Sequence, residues 1–276
     1  DFFEMISDEV GVIQRFPKRI LLVGDQKQLP PYYEKAHLKQ VANKMKLPYS
    51  AFAESDFSRA YNVNAGVRLD TQYRMVKPIG DIVSECFYAD GSGRLETGRG
   101  PSPSWYNDLP VPWNLPVTWI DSHCHGEGDG EEEQQKGKYI NRNELTLICT
   151  ILKLLNNTET LRNLEISITK EQPYPIGIIT MYRAQKDLIE NEISKSEWAA
   201  AIRRLVKIDT VDSYQGQENK IIILSLVRDN GNSIQGFLGD APRINVSISR
   251  AQERLVILGA KRMWCPNNND SALGNL

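Results

Sequence analysis

Four polar segments of this sequence combine residue types that could bind a phosphorylated ligand. The first, GDQKQLPP at 24–31, follows the apolar run RILLVG at 19–24. A polar loop at the end of a strand can present Asp25 and Gln28 to a bound phosphate, or to the water molecule that attacks it. An ordinary β-turn with an aspartate cap explains these residues equally well when the segment is taken alone.

The second segment, LDTQYRM at 69–75, places Tyr73 beside Arg74. An aromatic ring next to an arginine can stack on a base while the guanidinium reaches a phosphate. A surface loop with a salt-bridged arginine is the better interpretation of these few residues by themselves.

The third segment, DTVDSYQGQE at 209–218, lies between two strand-like apolar runs. Gly216 would let the backbone approach a ligand closely, because glycine carries no Cβ. The hydroxyl groups of Thr210 and Ser213 can donate hydrogen bonds to phosphate oxygens. Glu218 could act on water, on a sugar or on a neighbouring arginine.

The fourth segment, PRINVSISRA at 242–251, has apolar residues at helical spacing and therefore predicts a helix with one buried face. Arg243 and Arg250 would share a different face of that helix. An arginine held on a buried helix and aimed across a cleft has the physical form of an arginine finger, which stabilises charge on a transferred phosphoryl group.

Short apolar runs alternate with helical patterns through most of the chain, which predicts an α/β fold whose parallel sheet is covered on both faces. The predicted strands are 19–24, 117–120, 176–180, 206–209, 221–227 and 255–259. The predicted helices are 141–156, with Asn141 as its N-cap, 183–195 and 241–252. Residues 90–138, rich in Gly, Pro, Trp and acidic residues, interrupt the alternation and predict a long, irregular excursion with one strand.

Composition excludes several classes of protein. The chain has 276 residues, 41% of them hydrophobic and 25% charged, as in a soluble globular protein and unlike a disordered or collagenous one. No apolar run approaches the roughly 18 residues of a membrane span. The net charge of −2 argues against coating nucleic acid by bulk charge, while it still allows local phosphate contacts.

The cysteines and histidines do not predict a metal site. The four cysteines form no C-x-x-C pair, which argues against a zinc ribbon and favours a reducing, intracellular compartment, either cytoplasmic or nuclear. His123-Cys124-His125 could bind a metal, but a solvated loop is the favoured interpretation. Trp105, Trp113 and Trp119 could stack on bases, and packing is favoured for them as well.

The order and spacing of the four segments are specific, although each alone is weak. Together they closely resemble the superfamily 1 helicases, in the branch of the RNA-surveillance helicases and the replication helicase-nucleases. The matching segments are 24–31, 69–75, 211–228 (VDSYQGQENKIIILSLVR) and 237–252 (FLGDAPRINVSISRAQ), with a fifth at 176–185 (IGIITMYRAQ). In that family two RecA-like domains clamp ATP in their cleft and bind nucleic acid across their top. The resemblance thus implies a RecA-like P-loop NTPase fold, with 1–66 as the end of a truncated first domain and 67–276 as the second.

The resemblance also implies a role for particular residues. Gln28 matches the glutamine that senses the γ-phosphate, and Arg74 and Arg250 match the two arginines that the second domain donates. The implied ATP contacts are Asp25, Tyr73 (against the adenine), Gly216 and Glu218. The implied nucleic-acid contacts are Thr180, Tyr182, Thr210 and Ser213. Two positions depart from the family pattern. Met181 replaces a frequent proline, and Ile248-Ser249-Arg250 replaces a frequent Leu-Thr-Arg.

The sequence contains no G-x-x-x-x-G-K-[ST] phosphate loop. Asp8-Glu9 is a poor match to the family's magnesium-binding pair, because no apolar strand precedes it. We therefore expect the ligands of Mg²⁺ upstream of residue 1, and no ATP hydrolysis by the chain alone. The expected protein is an ATP-dependent DNA or RNA helicase or translocase that uses ATP and Mg²⁺. Its expected partners are single-stranded nucleic acid and its own first domain, with no membrane. The alternatives are a degenerate module that only binds nucleic acid or protein, and a nuclease.

Overall fold

The chain forms two compact units. A computed structural model describes residues 21–30, 35–46, 48, 56–63, 66–89, 93–123, 132–135, 137–264 and 273–274. The smaller unit contains 21–26 and the described part of 30–66. The larger unit contains Lys27–Leu29 and the described residues from Val67 onward. The assignment of 1–66 and 67–276 to two RecA-like domains stays a prediction.

The predicted strand over 19–24 is wrong for its described residues. Residues 21–24 lie outside any strand, and the side chains of Leu21 and Val23 are 87% and 82% exposed. A strand needs a neighbouring strand to accept its backbone hydrogen bonds. The described residues of the smaller unit supply helices instead, namely α1 (Lys35–Met45) and α2 (Asp56–Val63).

The larger unit alternates strands and helices. Its strands are β1 (Thr71–Gln72), β2 (Glu96–Thr97), β3 (Val117–Ile120), β4 (Glu133–Gln135), β5 (Lys138–Ile140), β6 (Ile176–Thr180), β7 (Val206–Thr210), β8 (Asn219–Ser225) and β9 (Ala251–Leu258). Its α-helices are α3 (Lys77–Val83), α4 (Arg142–Leu155), α5 (Thr158–Ile166), α6 (Arg183–Lys195) and α7 (Ala241–Ile248). Within the described part of the chain, no helix is both long and apolar enough to span a bilayer.

Five strands form one parallel sheet in the order β3-β9-β8-β6-β7. Successive residues of its central strands enter two different apolar clusters. Ile178 and Ile223 pack into one cluster, and Ile179 and Leu224 pack into the other. The sheet is therefore buried on both faces, which is why its strands are continuously apolar in sequence.

Helices supply the other half of each cluster, so they cover both faces of the sheet. Ile148 of α4 and Ile189 of α6 lie in one cluster, while Ile79 of α3 and Ile244 of α7 lie in the other. This arrangement is that of a RecA-like α/β domain, and it confirms the predicted fold class. The N-cap prediction for α4 is also confirmed, because the side chain of Asn141 accepts the backbone N–H of residue 144 at 3.0 Å.

The segment around Arg250 differs from its prediction. A helix was expected through 252, but α7 ends at Ile248 and β9 begins at Ala251. All residues of β9 are buried, and the strand pairs with both β3 and β8. Sheet pairing and burial thus override the helical spacing of the sequence. Arg250 is held in a turn between the helix and the strand, and does not lie on the helix.

The excursion over 90–138 holds more structure than the single predicted strand. Its β2 pairs in parallel with β1, its β3 is an edge strand of the main sheet, and its β4 pairs with β5. Trp113 is buried and donates its Nε1–H to the carbonyl of Ile151 at 2.8 Å. The described part of the excursion is therefore tied to the domain, and Trp113 packs as the sequence favoured.

Candidate active site

Two predicted ATP-contacting residues lie at the amino-terminal edge of the main sheet. Glu218 directly precedes β8, and Arg250 directly precedes β9. Asn219 and Ala251, which open these two strands, are partners in the parallel register. The residues before them are therefore brought side by side from positions far apart in sequence.

The Arg250 side chain is buried and held on three sides. Its residue is 2% exposed. The guanidinium donates from Nε to the carbonyl of Val246 at 2.9 Å, from Nη1 to the carbonyl of Gln217 at 3.2 Å, and from Nη2 to Oε1 of Gln28 at 3.1 Å. The structure thus joins the residue expected to sense the γ-phosphate to the residue expected to act as an arginine finger.

Arg74 reaches the same place from the turn after β1. Its Nε forms an ion pair with the carboxylate of Glu218, and its Nη1 donates to the carbonyl of Ser249 at 3.1 Å. The side chains of Arg74 and Glu218 are 33% and 29% exposed. We call the group formed by Gln28, Arg74, Glu218 and Arg250 the arginine cluster.

Glutamines that the sequence did not single out complete the surroundings of Glu218. Gln172 and Gln252 donate from Nε2 to its Oε1 at 2.5 and 2.8 Å, and Lys220 donates to Oε1 of Gln252 at 2.6 Å. Gln172 lies outside the matched segments, and a lone neutral residue in a loop carries no sequence signal. Only the fold places it beside the carboxylate.

Gly216 and Tyr73 have the local geometry that their predicted roles require. Gly216 has a φ of +81°, which a residue with a Cβ adopts only with strain. Tyr73 is 71% exposed, and a Cβ on Gly98 would lie 2.4 Å from its ring, so the ring lies close against that backbone. Asp25 is exposed and belongs to the smaller unit. The ATP-binding roles of these residues stay predictions.

The predicted nucleic-acid contacts lie at the opposite, carboxyl-terminal edge of the sheet. Thr180 and Thr210 end β6 and β7 and are register partners, roughly 15 Å from the amino-terminal edge at ~3.3 Å per residue. Ser213 is exposed, and the hydroxyl of Thr210 donates to its Oγ at 3.3 Å. Thr180 is fully buried and Tyr182 is 7% exposed. Thr210 and Ser213 therefore present their hydroxyl groups more openly than the other two residues do.

Residues 52–262 match the family model described as an AAA domain. This chain belongs to that AAA domain family. It is 31% identical over 250 residues to the regulator of nonsense transcripts 1 homolog of Neurospora crassa. That alignment covers 90% of this chain and 21% of the relative. It is 29% identical over 269 residues to the DNA replication ATP-dependent helicase/nuclease of Bos taurus, in an alignment that covers 88% of this chain and 22% of the relative. It is 31% identical over 264 residues to the probable helicase senataxin of Homo sapiens, in an alignment that covers 91% of this chain and 9% of the relative.

These relatives confirm the resemblance to superfamily 1 helicases that the four segments indicate. The chain spans about a fifth of the length of the first two relatives. What those proteins do as a whole is carried by more chain than is present here.

A second polar group of the AAA domain lies at the carboxyl-terminal edge and was not predicted. Glu144 accepts hydrogen bonds from the hydroxyl of Ser225 at 2.5 Å and from the backbone N–H of Val227 at 2.9 Å. Asn141 donates to the carbonyl of Val227 at 3.2 Å, and Gln185 donates to the carbonyl of Asn141 at 3.0 Å. We call these five residues the buried acid network.

Burial dominates the electrostatics of this network. Glu144 is 0% exposed. Loss of hydration raises the pKa of its carboxyl group to about 8, against the opposing effect of the hydrogen bonds from Ser225 and Val227. Val227 has a φ of +71°, which is unusual for a β-branched residue, and the hydrogen bond from its N–H to Glu144 holds that conformation.

The structure describes only part of the His123-Cys124-His125 segment, for which the sequence favours a solvated loop. Nδ1 of His123 lies 3.1 Å from Oδ2 of Asp229, while 124 and 125 lie outside the described residues. Among the described residues of the AAA domain, no group of three His, Cys, Asp or Glu side chains could hold a metal ion.

Proposed function

We propose that this chain is the C-terminal motor portion of an ATP-dependent helicase or translocase that acts on DNA or RNA. The arginine cluster carries the proposal, because Arg74 and Arg250 converge on one edge of the sheet beside Gln28. Planar guanidinium groups with several N–H donors match the oxygens of a phosphate. The donor set therefore fits the phosphates of ATP.

Within this proposal the two arginines neutralise negative charge that develops on the transferred phosphoryl group. Glu218 pairs with Arg74 and keeps that guanidinium at the edge of the sheet until a phosphate competes for it. Because the sequence holds no phosphate loop, that loop and the carboxylates for Mg²⁺ have to come from elsewhere in the protein.

The opposite edge of the sheet supplies the nucleic-acid contacts in this proposal. Thr210 and Ser213 donate to backbone phosphates, and Thr180 and Tyr182 support them. Contacts of this kind do not read sequence, and few of them give a shallow dependence of affinity on salt. The proposed substrate is single-stranded DNA or RNA, and the proposed location is an intracellular compartment. Similarity to a DNA replication helicase/nuclease and to a probable helicase supports this proposal.

Single-turnover hydrolysis of ATP tests the proposal in a protein that carries this chain together with its phosphate loop. We expect Arg250→Ala to lower kcat by about 10³- to 10⁵-fold, the range for loss of an arginine finger. Binding of ATP should weaken far less. Arg250→Lys should rescue poorly, since an ammonium group lacks the planar fork.

The matched control is Arg94→Ala, because Arg94 forms an exposed ion pair with Glu85 at 2.9 Å and is not a member of the cluster. It should leave hydrolysis unchanged. An Arg250→Ala protein that hydrolyses ATP at the normal rate would refute the proposal. If Arg250→Ala lowers the melting temperature and the rate of hydrolysis together, the role of Arg250 is structural. A protein without any hydrolysis stimulated by nucleic acid would favour the degenerate binding module.

A further inference from the structure

Arg99 connects the two segments that carry Arg74 and Arg250, although it lies outside the segments that resemble the helicases. Its Nη1 donates to the carbonyl of Arg74 at 2.8 Å and to that of Gln252 at 3.4 Å. Its Nη2 pairs with Oε1 of Glu253 at 2.8 Å. Gln252 and Glu253 lie at the start of β9, directly after Arg250 and Ala251. One planar group thus links the backbone of Arg74 to the strand that begins beside Arg250.

The turn that carries Arg74 is held from its other side by Gln72. The side chain of Gln72 accepts the N–H of Arg74 at 2.9 Å and donates to Oγ1 of Thr97 at 2.9 Å. The N–H of Gly98 donates to the carbonyl of Gln72 at 2.9 Å, next to the pairing of β1 with β2. Arg99 follows directly, so β2 delivers it to the carbonyl of Arg74. The backbone of Arg74 is therefore held at its N–H group by Gln72 and at its carbonyl group by Arg99. We call this arrangement the clamp.

The clamp is mostly shielded from water. The side chains of Arg99 and Glu253 are 20% and 4% exposed. A lysine at this position could keep one contact with Glu253, but a single ammonium group could not also bridge two carbonyl groups in the plane of a guanidinium. The geometry therefore depends on arginine and not on positive charge alone.

We propose that Arg99 is a positioning residue for ATP hydrolysis, which holds Arg74 in a fixed place relative to Arg250. The two guanidinium groups then reach the same phosphoryl group. This inference rests on the proposed function of the arginine cluster. It adds a residue from the excursion to a site that the matched segments were expected to build alone.

Steady-state and single-turnover hydrolysis of Arg99→Lys test this inference, in the protein that carries the chain and its phosphate loop. We expect kcat to fall about 10- to 100-fold, because a displacement of about 1 Å can cost that much. The KM for ATP should stay within about twofold, because ground-state binding does not depend on this alignment. The control Arg94→Lys, in the exposed pair with Glu85, should keep normal kcat.

A double variant separates positioning from a merely structural role. If Arg99 acts through Arg74, then Arg99→Lys should cause no further loss of kcat in an Arg74→Ala protein. Multiplying losses in the double variant, normal kcat in Arg99→Lys, or a loss matched by a fall in the folded fraction would each overturn the inference. Should Arg99→Lys fail to fold, Glu253→Gln keeps the guanidinium and removes only its ion pair, and a fall in kcat at unchanged KM in that variant gives the same readout.

The two proposals fail in different ways. If the function proposed for the cluster is wrong, Arg74→Ala and Arg250→Ala keep normal kcat whatever Arg99 does. If only the inference about Arg99 is wrong, those two variants lose activity and Arg99→Lys does not.

Discussion

The arginine cluster and the buried acid network lie at opposite edges of the main sheet, and their ionisable side chains differ in exposure to solvent. At the amino-terminal edge the side chains of Arg74 and Glu218 are about a third exposed, so a ligand can compete for them. At the carboxyl-terminal edge Glu144 is wholly buried, and Ser225 and Val227 donate to its oxygens. A concentration of polar side chains therefore does not by itself mark a binding site. The arginine cluster has partly exposed members beside the buried Arg250, whereas the carboxylate of the buried acid network is wholly enclosed.

The largest expected effect belongs to the amino-terminal edge. Arg74→Ala should lower kcat by about 10³-fold, in the range of a lost phosphate-contacting arginine. Arg74→Ala with Arg250→Ala should be little worse than either single variant, because residues that act as a unit are not additive. Single-turnover hydrolysis of the three proteins measures this, and fully multiplying losses would show that the two arginines act separately.

The buried acid network should show the reverse pattern, a loss of stability with little change in chemistry. Glu144→Ala leaves the N–H of Val227 and the hydroxyl of Ser225 without their acceptor, at about 1–3 kcal/mol each. We expect the free energy of unfolding in urea to fall by about 3 kcal/mol. Glu133→Ala removes an exposed pair with Arg142 and should cost under about 1 kcal/mol. An active-site role for Glu144 would instead lower kcat in a protein that remains folded.

The raised pKa of Glu144 predicts how stability depends on pH. Between the ordinary value of 4.5 and about 8, the folded state binds a proton at Glu144 that the unfolded state has lost. The contribution of Glu144 is therefore full below pH 4.5 and is lost as the pH rises toward 8, by up to about 1.4 kcal/mol per pH unit. Glu144→Gln should remove this slope, and urea unfolding at several pH values measures it. The same slope in both proteins would contradict the assignment.

The smallest expected effect tests the loop between the two edges. Gly216→Ala should cost about 1 kcal/mol in stability, because Gly216 has a φ of +81° and its Cβ would meet no atom within 4 Å. Gly100→Ala is the matched control, since its Cβ also meets nothing within 4 Å and its φ lies outside the left-handed region. Thermal unfolding compares the two. Equal effects would show that backbone strain at Gly216 is not the cause.

Much of the fold could be predicted because local sequence and burial agree there. β3, β6 and α6 have the predicted bounds, since a short run of strand-forming residues or a helix with clear ends carries its own signal. The boundary at Arg250 could not be predicted, because the helical spacing of 244–251 competes with pairing between β9 and its two neighbours. That competition is decided by residues far away in sequence.

The sequence by itself determined the class of the domain, the bounds of β3, β6 and α6, and the segments that hold Gln28, Arg74, Glu218 and Arg250. Those features follow from spacing and from residue type, which are local. The tertiary structure alone decided that Arg74 and Arg250 lie together at the amino-terminal edge and that Arg99 links the carbonyl of Arg74 to the start of β9. It also decided that Glu144 is a buried acid. Each of these contacts depends on parallel strands whose connections bring residues that are far apart in sequence to one edge of the sheet. A local sequence pattern does not encode such a contact.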